Sequence, residues 1–424
     1  MHLAGIALGS KDGCAVLVPC ISPRYDSIVE LTGQSEALEQ RLIPSTSELN
    51  SYPLRVNHAT WQRNLDAAEE SARFWIHTCQ QEAKDELFRP NSTEDCRKAL
   101  GLPPGTSTDA DTLADLALKG SKLAPLISVA RTEMLIRGQL RKWGGYARAG
   151  AVQPHWDSMG TPHGRYSSEN PCLNNRVSVI RETVEADEGC SFLSFDLSQA
   201  EYVVWASLSK DPTLCTAFES GQDFHTGMAE LVQREVPPWN PPDLRAAGKT
   251  INFALLYMMQ VTTLAYRLGC PVETAARISS IYFKRAARAK EYITETLTRA
   301  KSEGFIETYF GRRRYCPELQ VATDQKEVHQ HQKSLWNHHI AGTAAEITKW
   351  KQVRACDGLR MAEFSEQHAR LCFQGYDACI WHVNDQYLDD VRSEVEERWN
   401  LKEERFLCFK SKVRVGKTLA AVTG

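Results

Sequence analysis

One short run ending in a carboxylate, Ser191-Phe192-Leu193-Ser194-Phe195-Asp196, constrains the fold more than any other feature of the chain. It reads as a strand. Helical patterning dominates residues 198–303 after it, interrupted at Pro237-Pro238-Trp239-Asn240-Pro241-Pro242, and another helix is expected over about 326–355. The next strand-like segments are a hairpin from Ala369 to Val383 and a stretch from Cys408 to Val422. Strands far apart in sequence, separated by long helices, argue an α+β fold.

Upstream, residues 1–39 read as a small β-type piece, with Ala4–Leu8 and Cys14–Val18 flanking Gly9-Ser10-Lys11-Asp12-Gly13 as a hairpin signal. Helical patterning covers about residues 58–85 and again about Asp111–Trp143, with a loop at Pro103–Asp109 between them. Residues 144–181, rich in Gly, Pro, Ser and Asn, should be irregular or short strands.

The chain has 424 residues and is 42% hydrophobic, enough for one large core or several subdomains. No run approaches the roughly 18 apolar residues a membrane helix needs. The start, Met1 to Ile6, has no basic segment followed by a long apolar one, so no secretory signal is read and a cytoplasmic location is expected. The 13 cysteines form no C-x-x-C pair and read as buried reduced thiols. His329, His331, His338 and His339 lack a partner set at ligand spacing, so no zinc site is expected. A net charge of −3 does not announce nucleic acid. Local basic segments, Lys284 to Arg288 and Arg312-Arg313-Arg314, do better, although a charge run is ordinarily a solvated face.

The segment Arg245 to Tyr257 carries Arg245, Lys249, Phe253 and Tyr257 at every fourth position. On a helix these form one slowly drifting stripe, two cations followed by two aromatics. Ala247, Ile251, Ala254, Leu255 and Met258 supply the opposite, core-spaced face. Pro241-Pro242-Asp243 reads as a stop and N-cap, which puts Arg245 in the first turn, where helix N–H groups favour anions. A triphosphate would meet Arg245 and Lys249, with its base near Phe253 and Tyr257. On spacing alone, an ordinary amphipathic helix with a polar stripe is the more common reading.

Two carboxylates complete the chemistry. Asp196 ends a strand before a helix, and Asp377 sits at a hairpin turn in Gln374-Gly375-Tyr376-Asp377-Ala378. Each alone is more often a cap or turn residue. Brought together, they could bridge two Mg²⁺ ions for phosphoryl transfer.

In combination these elements resemble the polymerase motifs of family A (DNA polymerase I-like) DNA polymerases. Asp196-Leu-Ser-Gln-Ala-Glu201 resembles D-Y-S-Q-I-E, Asp223-Phe224-His225-Thr226 resembles D-I-H-T, and Arg245 to Tyr257 matches R-x3-K-x3-F-x3-Y. Asp377 sits where the family has the Asp of Q-V-H-D-E. His163 to Ser168 resembles T-G-R-L-S-S, Pro171 to Asn175 resembles P-N-L-Q-N, and Gly304 to Tyr315 is similar to G-Y-V-E-T-L-F-G-R-R-R-Y. Asn337 with Gly342-Thr343-Ala344-Ala345-Glu346 resembles N-x4-G-T-A-A-D, and Val413 to Lys417 resembles V-x-V-G-K. The resemblance covers about residues 40–424.

The resemblance implies a right-hand fold with its palm on an antiparallel sheet: thumb 40–145, palm 146–228 and 326–424, fingers 229–325. It implies template-directed extension of a primer 3′ end with dNTPs. Asp196 and Asp377 would hold two Mg²⁺ ions, replaceable by Mn²⁺, with the Leu197 carbonyl assisting. Lys249 would protonate the departing pyrophosphate, and Arg245 and His225 would bind the triphosphate beside Ser198 and Gln199. Glu201 would exclude a ribose 2′-OH, Phe253 would stack on the incoming nucleotide, and Tyr257 would lie by the templating base. Since Phe rather than Tyr stands at 253, poor use of dideoxynucleotides is implied. Arg165, Asn174, Asn175, Arg312, Arg313, Lys333, Asn337 and Gln374 would contact primer or template. Primer–template DNA and dNTPs are the implied partners of a monomer, with accessory replication factors in addition, in replication, repair or translesion synthesis in a bacterial, phage or mobile-element setting.

Four positions depart from the family pattern. Tyr376 replaces its His, Ala378 its Glu, Met258 its Gly after Tyr257, and Ala341 a common Gln. Residues 1–39 contain no D-x-E and are too short for a 3′–5′ exonuclease domain, of which they could be a remnant, so no proofreading is expected. Two alternatives stand beside polymerase activity: a degenerate polymerase that binds primer–template without turnover, and a nucleotidyl transferase that ignores the template.

Overall fold

The run Ser191–Asp196 becomes the strand Cys190–Leu197, the third strand across a four-stranded sheet. Ala378–Asn384 lies on one side of it, with Ala369–Gly375 beyond, and Ser411–Gly416 lies on the other side. Phe192, Leu193, Phe195 and Leu197 are all buried, so both faces of this strand are covered, which explains its continuous apolar character. Phe195 packs edge-on against Trp381 of the next strand and, with the rings tilted, against Trp399. In the hairpin, Gly375 pairs with Ala378, leaving Tyr376 and Asp377 as a two-residue turn. Tyr376 takes φ 53° there, as such tight turns require.

This computed structural model describes residues 29–174, 177–220, 223–237, 239–403 and 405–423. The hairpin expected within residues 4–18, and Asn175, lie outside them. The described chain forms two compact units. The larger comprises the chain up to Ser51, His155–Asn170 and Leu193–Arg414 and contains the sheet. Beside the sheet it carries the 37-residue helix Gln325–Met361 and the helix Leu388–Trp399, whose Val391, Val395 and Trp399 are buried at a spacing of one helical turn.

The β-type reading of residues 1–39 needs correction within the described part. Only Val29–Leu31 is a strand, paired antiparallel with Arg312–Tyr315, and the helix Gln34–Ser51 follows. Leu38, Leu42 and Leu49 recur on one face of that helix and are buried.

The smaller unit comprises Tyr52–Pro154, Pro171–Phe192 and Val415–Gly424. Its two long helices, His58–Ala83 and Leu123–Ala149, lie close enough that a Cβ on Gly144 would come within 2.8 Å of the Trp61 ring. Asn57 caps the first helix by accepting from Thr60 N–H. The helix expected over Asp111–Trp143 is two, Ala110–Leu118 and Leu123–Ala149, broken where Gly120 takes φ 92°. Cys79, Phe88, Cys96, Leu113 and Ile127 form an apolar core, the two thiols among them. The strand-like tail is partly helical: Ser411–Gly416 is extended, but Leu419–Val422 makes a turn capped by Thr418.

Candidate active site

Leu197 donates its backbone N–H to the Asp377 carbonyl at 2.9 Å, and Ser198 donates to the Lys410 carbonyl at 2.8 Å. The sheet therefore sets the end of the Asp196 strand beside the hairpin turn, which brings the two expected acids together. Asp377 Oδ1 is enclosed and has no hydrogen-bond partner. Burial, reinforced by Glu201 and Asp196 and opposed by Arg165, pushes the Asp377 carboxyl up to about 7. Burial also raises Asp196, against Arg414 and Lys412. Two desolvated carboxylates at adjacent strand ends, one with an unpartnered oxygen, fit a hard divalent cation, which would relieve their mutual repulsion. Among the described residues no group of three or more His, Cys, Asp or Glu is placed to hold a metal ion.

After Asp196 the chain turns through Gln199 at φ 57° into the helix Ala200–Ser209. Glu201, in its first turn, is 8% exposed. One of its oxygens accepts from Arg165, the other from the Tyr257 hydroxyl. Arg165 also lies over the Tyr376 ring, 5.3 Å from its centroid. Glu201 is thus fixed between two residues drawn from remote parts of the chain, Arg165 and Tyr257.

The cation–aromatic stripe lies on the helix Leu244–Leu256, capped as expected by Asp243, which accepts from Ala246 N–H at 2.9 Å. Ala247, Ile251, Ala254 and Leu255 are buried, while Arg245 and Lys249 are exposed. Phe253 and Tyr257 stack at 6.3 Å, and Phe253 also stacks with His225 at 6.1 Å. Asn252 contacts His225 Nδ1 at 2.9 Å. Burial, against the pull of Asp223, lowers His225 to about 4, so the ring is neutral at pH 7. Arg245 pairs with Asp223 at 3.2 Å.

Met258, where a glycine was expected, has φ 53°. Met258 N–H donates to the Leu255 carbonyl and Met259 N–H to that of Ala254, a helix ending whose left-handed residue is ordinarily glycine. The methionine bears that strain at an end held by Trp336, whose indole N–H donates to the Leu256 carbonyl at 2.6 Å.

The expected DNA contacts divide. Lys333 is exposed and Asn337 half-buried, one turn apart on the helix Gln325–Met361. Arg313 is half-exposed, paired with Glu307 at 3.1 Å. Asn174 is buried, its carbonyl accepting from Arg181. Gln374 is buried too, its amide donating to the Tyr376 carbonyl. Arg312 is a correction: it is 2% exposed, with its guanidinium committed to Glu39 and Glu346, and is part of the interior. Lys349 binds Glu39 as well, and His338 meets the Arg312 carbonyl at 3.0 Å. His339 contacts the Glu307 carbonyl at 2.6 Å and the Tyr292 hydroxyl at 2.7 Å, so both histidines have structural partners.

Three site residues escaped the sequence reading. Gly248 admits the His225 carbonyl, which would stand 2.1 Å from a Cβ, and a glycine inside an amphipathic helix was its signal. Asn252 lies among apolar residues of the packed face. Arg414 lies 3.6 Å from Asp196.

The sequence profile of DNA polymerase family A matches residues 53–420. The chain belongs to DNA polymerase family A. Its family A relatives include the thermostable DNA polymerase I of Thermus thermophilus, 31% identical over 259 residues, which are 59% of this chain and 30% of that protein. The thermostable DNA polymerase I of Thermus aquaticus is 34% identical over 245 residues, 55% of this chain and 28% of that one. The match thus spans under a third of these relatives' length. Among solved structures, the POL domain of Pol1 from M. smegmatis, in complex with DNA primer-template and dNTP, superposes with a TM-score of 0.81 at 22% identity, over 91% of this chain and 70% of that one. That likeness is one of fold, and with the sheet and helices above it makes this an α+β right-hand polymerase architecture.

Proposed function

We propose that this chain extends a primer 3′ end with dNTPs chosen by a template. The observation that carries the reading is the meeting of Asp196 and Asp377 at adjacent strand ends, with Glu201 fixed between Arg165 and Tyr257 beside them. Asp196, Asp377 and the Leu197 carbonyl hold two Mg²⁺ ions, for which Mn²⁺ substitutes. Ions held there would supply activation of the primer hydroxyl and neutralisation of charge on the leaving pyrophosphate.

Arg245 and Lys249 bind the triphosphate, and Arg245 exchanges Asp223 for it. Lys249 supplies a proton to the pyrophosphate. Neutral His225 donates a hydrogen bond without adding charge. Phe253 stacks on the nucleotide, Tyr257 borders the templating base, and Ser198 and Gln199 line the nucleotide side. Glu201 leaves no room for a 2′-OH. Arg165, Arg313, Lys333, Asn337, Asn174, Asn175 and Gln374 contact DNA, largely through backbone and minor groove, as sequence-independent copying requires.

Residues 40–145 act as the thumb, 229–325 as the fingers, and 146–228 with 326–424 as the palm. The chain works as a monomer. Single-nucleotide extension on four templates that differ at one base tests the proposal. It predicts incorporation of the complementary dNTP on each. Incorporation that ignores the template base would instead mark a template-independent transferase.

A further inference from the structure

Asp196 already has a cation. Arg414 Nη1 lies 3.6 Å from Asp196 Oδ2, and both side chains are about one-third exposed, at 30% and 28%. Lys412, two residues earlier, adds a second positive charge acting on the same carboxylate. Both cations sit on the strand Ser411–Gly416, the sheet neighbour of Cys190–Leu197, so regular backbone rather than a loop sets their distance. Alternation places residues 412 and 414 on one face of that strand. Arg165 is bound to Glu201, and Asp377 Oδ1 has no hydrogen-bond partner.

A guanidinium and a divalent cation compete for one carboxylate oxygen. A cation entering at Asp196 must displace Arg414 and then tolerate a positive charge a few ångströms away, in surroundings that screen less than water. The negative charges of a triphosphate remove much of that repulsion. Cation and nucleotide therefore bind with coupled free energy, each raising the affinity for the other.

Resting on the reading of Asp196 and Asp377 as metal ligands, we propose that Arg414 is a resident counter-ion of Asp196. It weakens binding of free divalent cation and makes loading of the site depend on nucleotide. Lys412 acts in the same sense through its field, without contact.

Mn²⁺ binding to the full chain, followed by electron paramagnetic resonance without DNA, tests this. Arg414→Gln should bind Mn²⁺ about tenfold tighter than the unaltered chain, the scale expected for losing one partly screened charge at this distance. Arg414→Lys should stay within about twofold, because it retains the charge. Lys412→Gln should shift affinity in the same direction by less. Saturating dNTP should narrow the gap between Arg414→Gln and the unaltered chain. Equal or weaker Mn²⁺ binding by Arg414→Gln, while Asp196→Asn and Asp377→Asn lose the ion, overturns the counter-ion role and leaves the metal site standing. Mn²⁺ binding untouched by both Asp→Asn changes removes the metal site and this inference with it.

Discussion

The backbone N–H of Leu197 donates to the carbonyl of Asp377, across 180 residues of sequence, at 2.9 Å. That one ladder bond fixes the acid ending one strand against the acid turning a hairpin. Everything proposed for the site depends on this registration, because neither aspartate alone differs from an ordinary turn residue.

Glu201 accepts from Arg165 and Tyr257 at once, and in its proposed role these two bonds keep the carboxylate from swinging away for a bulkier sugar. Glu201→Ala should lower discrimination against ribonucleotides by at least about tenfold, equivalent to about 1.4 kcal/mol of lost exclusion. Tyr257→Phe removes one of the two restraints and should lower it by less. Competing dNTP and rNTP incorporation in primer extension measures both.

Arg312 was legible as a surface basic run and is instead the centre of a buried charge cluster. Burial alone would raise Glu39, but Lys349 and Arg312 together hold it below the usual carboxylate range. Arg312→Ala leaves Glu39 and Glu346 short of a partner and should cost about 3–5 kcal/mol. Arg313→Ala, half-exposed, should cost no more than about 1 kcal/mol. Urea denaturation of the two variants checks the contrast.

Gly248→Ala would bring a methyl within 2.1 Å of the His225 carbonyl, a backbone atom with little freedom to retreat. The helix carrying Arg245 and Lys249 must shift, at a cost of about 1–3 kcal/mol. The expected outcome is a raised KM for dNTP together with a lower denaturation midpoint, measured by steady-state extension and by urea.

His339 is neutral because burial, helped by Arg299 and opposed by Glu307, lowers it to about 4. The unfolded chain takes up a proton near pH 6.5 and the folded chain does not until about 4. Its contribution to stability is therefore full above pH 6.5 and lost as pH falls toward 4, at up to about 1.4 kcal/mol per pH unit. His225 acts in the same sense. Urea titrations between pH 7 and 4.5 should show this slope, and His339→Phe should flatten it.

Local patterns in the sequence carried the pieces of the site and not their assembly. The four-residue spacing from Arg245 to Tyr257 gave a helix with the correct cap, because periodicity and capping are encoded within a few residues. The helix Leu388–Trp399 passed unread although Val391, Val395 and Trp399 carried its signal. Gly120 ended one helix within an otherwise helical pattern, and the helix Gln34–Ser51 followed a strand of three residues. The strand order, the burial of Arg312 and the pairing of Arg414 with Asp196 arise from contacts between remote segments, and no local code specifies them.

Single-turnover extension of a primer–template by Asp196→Asn and Asp377→Asn, with DNA binding measured in parallel, tests the central claim most directly. Each variant should lose extension by several orders of magnitude while binding primer–template within about threefold of the unaltered chain, a loss confined to the chemical step. Near-normal extension by either variant would show that the paired acids are not where the phosphoryl group is transferred.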